Sequence, residues 1–178
     1  MPSSDPSALW FIWDMAMNLQ PKSILDIWVW FGSKWAFFRE LTDIRNCRYK
    51  KDQWRTTIDW IEIFQDYIND LHKFVYDKIL IGDCRDVINV LWYYDMIFMW
   101  DVLEHLPKED WKKLLERLKF HSNNIIISTP DWFYWQWSVM WNDHEKHECW
   151  WIEQEFIDLG FNVNRYWILL IATIWFQK

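Results

Sequence analysis

The segment DMIFMWDVLEHLPKEDWKKLLERL, residues 95 to 118, holds the densest group of chemically able side chains. Asp101, Glu104 and His105 follow directly on the apolar run Met96 to Trp100. Carboxylates and an imidazole set so close together can orient a polar ligand or move a proton. The same residues also suit the capping of the stretch that begins near Pro107. Three more carboxylates stand just after, or at the end of, apolar runs: Asp26 in LDIWVWFGSKW, Glu62 in IDWIEIF, and Asp83 in IGDCRD.

Each of these three admits two readings. Asp26 is followed by a tight turn and then a stretch with helical character. A nucleotide-binding sheet makes this turn glycine-rich, so that backbone N–H groups can approach the ligand. Here Gly32 remains, while Trp28 and Trp30 take the two earlier places, so a plain strand–turn–helix with buried aromatics fits as well. Glu62 can accept hydrogen bonds from both ribose hydroxyls of an adenosine ligand, although its spacing from Asp26 is longer than the usual ~20 residues. It can also be a solvated loop carboxylate. Asp83 can accept from an exocyclic amine or cap a helix; Gly82 before it permits a turn.

The elements that must position these side chains alternate between short apolar runs and amphipathic stretches. Strands are expected at Ser23–Ile27, Thr57–Ile61, Lys78–Ile81, Met96–Trp100 and Asn124–Ser128. Helices are expected at Ala8–Leu19, Ser33–Leu41, Gln65–Leu71, Arg85–Leu91, Lys108–Phe120 and Ile152–Leu159. In Lys108–Phe120 the residues Trp111, Leu114, Leu115 and Leu118 form an apolar stripe at helical spacing. Gly160 sits where a helix C-cap favours glycine. Phe161–Tyr166 and Ile168–Trp175 read as a closing antiparallel pair. Strands alternating with helices imply an α/β fold, a mostly parallel sheet covered on both faces. Ligands of such sheets bind at the carboxyl ends of the strands, where the candidate residues lie.

The chain has 178 residues, enough for one domain with a proper core. We expect a flexible tail at 1–7 and one domain at 8–178. Apolar residues make up 52% and charged residues 25%, which excludes a disordered chain. A formal net charge of -7 argues against bulk nucleic acid as a partner. The longest apolar run, Trp167 to Phe176, is about half a membrane span. The N-terminus lacks signal-peptide features and the three cysteines mark no metal pattern, so a cytoplasmic setting is expected. Glycine occurs 3 times and tryptophan 18 times, where average usage predicts roughly 12 glycines.

Five motifs taken together resemble the class I S-adenosylmethionine-dependent methyltransferases, of the small single-domain kind. They are LDI-x-V-x-FG (25 to 32), I-D-x-I-E (58 to 62), IGD (81 to 83), D-x-I-x-x-x-DVLEHL (95 to 106) and IIISTP (125 to 130). The resemblance runs from about Pro21 to the C-terminus. It implies a Rossmann-like sheet of seven strands with the last antiparallel. It also implies S-adenosylmethionine as cofactor, a small-molecule acceptor, and a monomer or homodimer. By this resemblance Asp26, Trp28, Trp30 and Gly32 occupy the turn that holds the methionine part. Glu62 matches the ribose-binding acid, and Asp83 and Cys84 the adenine position. Asp101 faces cofactor and substrate, with His105 just behind it.

The segment after the fifth strand often covers the acceptor pocket in that family. Here it carries His144 and His147 in NDHEKHE, which with His105 are the candidate catalytic bases. His144-x-x-His147 also has the spacing of a metal pair, but no third ligand is marked, and no metal is assigned. Phe133 and Tyr134 are candidates for stacking on a flat acceptor.

The departure from the family is concentrated in glycine. Trp28 and Trp30 replace motif glycines, Trp35 and Trp60 stand where glycine is frequent, and Trp132, Trp137 and Trp150 lie in loop contexts that suit it. The chain reads as a methyltransferase in which many glycines became tryptophan. An indole in the cofactor turn would fill the ligand's space, so weak binding of S-adenosylmethionine is expected. Two alternatives stay open: a non-catalytic binding or structural module on the same fold, and a nicotinamide-dependent oxidoreductase, against which DVLEHL and the closing pair argue.

Overall fold

The computed structural model describes residues 8–27, 33–133, 135–139 and 141–175, with the backbone alone at 33–35. Trp28, Trp30, Gly32 and Tyr134, and the expected tail at 1–7, lie outside the described residues.

Seven strands form one sheet: β1 Ser23–Ile27, β2 Thr57–Glu62, β3 Lys78–Ile81, β4 Met96–Trp100, β5 Ile125–Pro130, β6 Asn162–Tyr166 and β7 Leu169–Ile174. Their order across the sheet is β3-β2-β1-β4-β5-β7-β6. The pairs among β1 to β5 are parallel, while β7 runs antiparallel to both β5 and β6. This is the Rossmann-like sheet expected from the sequence. Strand order reverses between β1 and β4, which places a crevice at their carboxyl ends.

Alternation along the strands divides the core into two faces. On one face Ile24, Ile58, Met96, Phe98 and Ile126 meet Ile12, Met15 and Ala16 of helix α1 (Leu9–Leu19) and Phe38 and Leu41 of α2 (Ser33–Thr42). On the other face Leu25, Ile61, Ile97, Met99 and Ile127 meet the Trp111, Leu114, Leu115 and Leu118 stripe of the helix at Lys108–Leu118. Burying one such apolar side chain contributes about 1.5–3 kcal/mol, so the two faces together hold the sheet.

The second expected helix is the main correction. Gln65–Tyr67 forms only a 3-10 turn, and helix α3 runs instead over Asp70–Val75. Asn69 sets that start: its side chain accepts the N–H groups of Leu71 and His72. The next helix, α4, spans Cys84–Val87 and is capped by Asp83, followed by a 3-10 turn at Ile88–Val90. The stripe helix at Lys108–Leu118 is α5, and α6 covers Glu153–Asp158. Gly160 closes α6 at φ +84°, and the N–H of Phe161 donates to the Phe156 carbonyl at 3.0 Å.

The glycine-to-tryptophan reading meets a mixed outcome. Trp60 is fully buried in β2 against His72 and Tyr76 with ordinary backbone angles, and Trp35 lies within α2. Among the described residues, the left-handed backbone that favours glycine occurs at two tryptophans that sequence reasoning passed over, Trp141 (φ 62°) and Trp167 (φ 54°).

Candidate functional site

A cleft of about 340 Å³, including space open to solvent, lies beyond the carboxyl ends of the first four strands. Ile27 after β1, Ile61 and Ile63 around Glu62, and Gly82, Asp83 and Cys84 after β3 line one part. His105 and Leu106 after β4, with His144, line the other. Short parallel strands that end together thus bring side chains far apart in sequence to one place.

Glu62 ends β2 and is fully buried. Its Oε1 accepts the Phe64 N–H at 2.7 Å, while Oε2 is buried without a hydrogen-bond partner among the described residues. Burial pushes this carboxyl up to about 8, and the nearby Asp26 adds to the rise. A buried acceptor left open in this way costs roughly 1–3 kcal/mol, and a hydroxyl donor from a ligand would recover it.

Asp26 lies in β1 on the same face and is buried. Its Oδ2 accepts the phenol O–H of Tyr76 at 2.8 Å. Burial first, then the charge of Asp26, holds the Tyr76 phenol well above its usual range, so the hydroxyl remains the donor. Sequence spacing gave no signal for this contact, because 50 positions separate the partners.

Asp83 behaves as a cap and an ion-pair partner. Its Oδ1 accepts the Arg85 N–H at 2.8 Å, and both carboxylate oxygens accept from Arg85 Nε at 3.0 Å. Burial works against its ionisation, but Arg85 prevails and keeps the carboxyl below the usual range. Cys84 beside it is buried, and burial pushes its thiol up to about 12, so it offers the cleft an uncharged wall.

Asp101 directly follows β4 and sits in the left-handed region, at φ 51°. Its N–H donates to the Ser128 carbonyl at 2.9 Å, and its Oδ1 accepts from Ser128 Oγ at 3.4 Å. Residues Leu103–His105 form a buried 3-10 turn. Backbone held this way beside a strand end is a common feature of functional sites.

The three histidines converge. His105 and His144 line the same cleft, and the rings of His105 and His147 meet edge to face at 4.9 Å. Burial first, then His147, pushes the His105 imidazole down to about 3, so it is neutral and a weak base. His144 is exposed at the cleft, its N–H held by the Asn142 side chain at 3.0 Å. Phe133 meets Trp135 edge to face at 5.0 Å and lies tilted against Trp150 at 5.4 Å. Glu104, which stood in the motif without an assigned role, is buried at the centre of the group.

No family model matches the chain, and no curated protein matches it. Solved structures do. The DhpI complex with SAM and HEP superposes with a TM-score of 0.67 at 13% identity, covering 94% of this chain and 83% of that one. A SAM dependent methyltransferase from Archaeoglobus fulgidus gives 0.62 at 17% identity, covering 88% and 67%. Magnesium protoporphyrin IX methyltransferase from Synechocystis, with bound SAM, gives 0.56 at 15% identity, covering 93% and 75%. The fold of this chain is that of the class I SAM-dependent methyltransferases, as the five motifs implied.

Proposed function

We propose that this chain, on its methyltransferase fold, is built for transfer of a methyl group from S-adenosylmethionine to a small-molecule acceptor. The observation that carries the reading is the buried, open Oε2 of Glu62 at the end of β2. It suits a ribose hydroxyl donor, and among the described residues no group is hydrogen-bonded to it. The cofactor would supply an activated methyl group on a sulfonium, whose transfer needs alignment more than covalent help from the protein.

The chain's own residues divide the remaining work. Glu62 holds the ribose, and Ile63, Cys84 and Leu106 offer apolar walls to a flat base. Asp83, bound on both oxygens by Arg85, orders the turn after β3 and takes an adenine amine only as a further acceptor. Asp26 and Tyr76 brace the end of β1. Asp101 faces the methyl donor, and Phe133, on the segment after β5, is the aromatic side chain offered to the acceptor. Of the candidate bases, exposed His144 suits proton removal from an acceptor hydroxyl, whereas His105 is too weakly basic.

The retained carboxylates support a working ancestor, while Trp28 and Trp30 favour the second reading, a non-catalytic module with a filled cofactor turn. Calorimetric titration of S-adenosylmethionine, and of its demethylated product, separates the two. The chain should bind weaker than micromolar, and a Trp28→Gly, Trp30→Gly variant should bind in the micromolar range. Binding by neither folded protein would overturn the methyl-transfer reading in favour of the module.

A further inference from the structure

Glu104, His105 and His147 each present one ligating atom, and these atoms all lie within 4.8 Å of one another. All three side chains are buried. Glu104 and His105 come from the turn after β4, and His147 from the segment after β5. Local spacing offered His147 the companions of its own segment, His144 with Glu145 and Glu148. The fold gives it a different set.

The backbone holds these two segments together. The N–H groups of Glu148 and Cys149 both donate to the Glu104 carbonyl, at 2.7 and 3.2 Å. His105 Nδ1 lies 3.2 Å from the Lys146 carbonyl. A backbone carbonyl against one ring nitrogen is the kind of second contact that orients a ligating histidine. Burial keeps both rings away from bulk water. Thr129 Oγ1 donates to Glu104 Oε2 at 3.2 Å, and Asp101 and Glu145 lie near enough to act on the same carboxyl. Burying like charges together is costly, and a cation among them removes the cost.

We infer that Glu104, His105 and His147 form a binding site for one divalent transition-metal ion. Two imidazoles and a carboxylate suit zinc, manganese, iron(II) or cobalt(II), whereas magnesium and calcium prefer all-oxygen sets. Bonds of about 2.0–2.2 Å require the three atoms to draw together by a small side-chain adjustment. Since His105 also lines the cleft, the ion would stand at its floor and clamp the segment after β5 onto β4.

The test is titration of cobalt(II) into the metal-free chain without any cofactor, in a Cys47→Ser background that removes the exposed thiol. One equivalent should produce visible d–d absorption, be displaced by zinc, and raise the thermal midpoint. His147→Ala and the isosteric Glu104→Gln should each weaken binding at least tenfold, with circular dichroism confirming the fold. His144→Ala should leave it unchanged. No absorption and no midpoint shift, or equal affinity in the His147 and Glu104 variants, would overturn the site. Because no methyl donor is present, failure here leaves the methyl-transfer reading standing, and the calorimetry of the cofactor does not decide this one.

Discussion

Glu62 couples proton binding to ligand binding. Its carboxyl titrates near 8 in the fold against about 4.5 when unfolded. The proton it retains therefore stabilises the fold fully below about pH 4.5, and that contribution fades as pH rises through 8. A ribose diol prefers the ionised form, so the order reverses for the ligand. In the Trp28→Gly, Trp30→Gly variant, affinity for the demethylated cofactor should rise by up to about tenfold per pH unit from 6 to 8 and then level. Glu62→Gln should flatten that profile, and a flat profile with Glu62 present would remove it from the ribose site. Strand-end placement made Glu62, Asp26 and Asp83 legible in the sequence. The Tyr76 contact of Asp26 was not, because 50 positions separate the two residues.

At the scale of elements, the hairpin between β6 and β7 carries measurable strain. Trp167 opens its two-residue turn at φ 54° and is 83% exposed, so the indole gains little in return for a left-handed backbone. Such a conformation costs a non-glycine residue roughly 1–2 kcal/mol. Trp167→Gly should stabilise the chain by about 1 kcal/mol in urea unfolding, a rise of a few degrees in the midpoint. Trp132→Gly, at ordinary angles, should give no gain. Periodicity located every strand to within about two residues, since buried apolar runs dominate them. It misplaced α3 because Asn69, a start signal formed by one side chain, outweighs the apolar pattern of Gln65–Leu71. Which tryptophans adopt glycine-like backbone was invisible, because φ is set by turn geometry and not by composition.

At the scale of the whole molecule, many of the aromatic side chains face outward. Trp135, Trp137 and Trp150 are 75%, 75% and 50% exposed, and Trp135 and Trp137 stack at 6.4 Å beside Phe133. A contiguous apolar patch of this kind favours association. Sedimentation of the chain should show concentration-dependent association that Trp135→Ser with Trp137→Ser reduces, while an unchanged distribution would assign the contact to another surface. A mostly parallel sheet covered on both faces was legible, because strands alternate with helices; the seven strands with an antiparallel close came with the family resemblance, and the strand order came only from the fold.

The position of β7 between β5 and β6 has a consequence for biosynthesis. As the chain emerges from the ribosome, the strands that frame the cleft can pair in order, but β5 keeps a bare edge until residues near Ile174 have left the tunnel. Nascent β6 has only β7 to pair with and must wait for it. The strand of this sheet that is made last is thus an interior one, and every pause in translation before it leaves β5 open to a neighbouring nascent chain. Slow decoding over this C-terminal stretch would lower the yield of native protein without altering a single contact in the finished molecule.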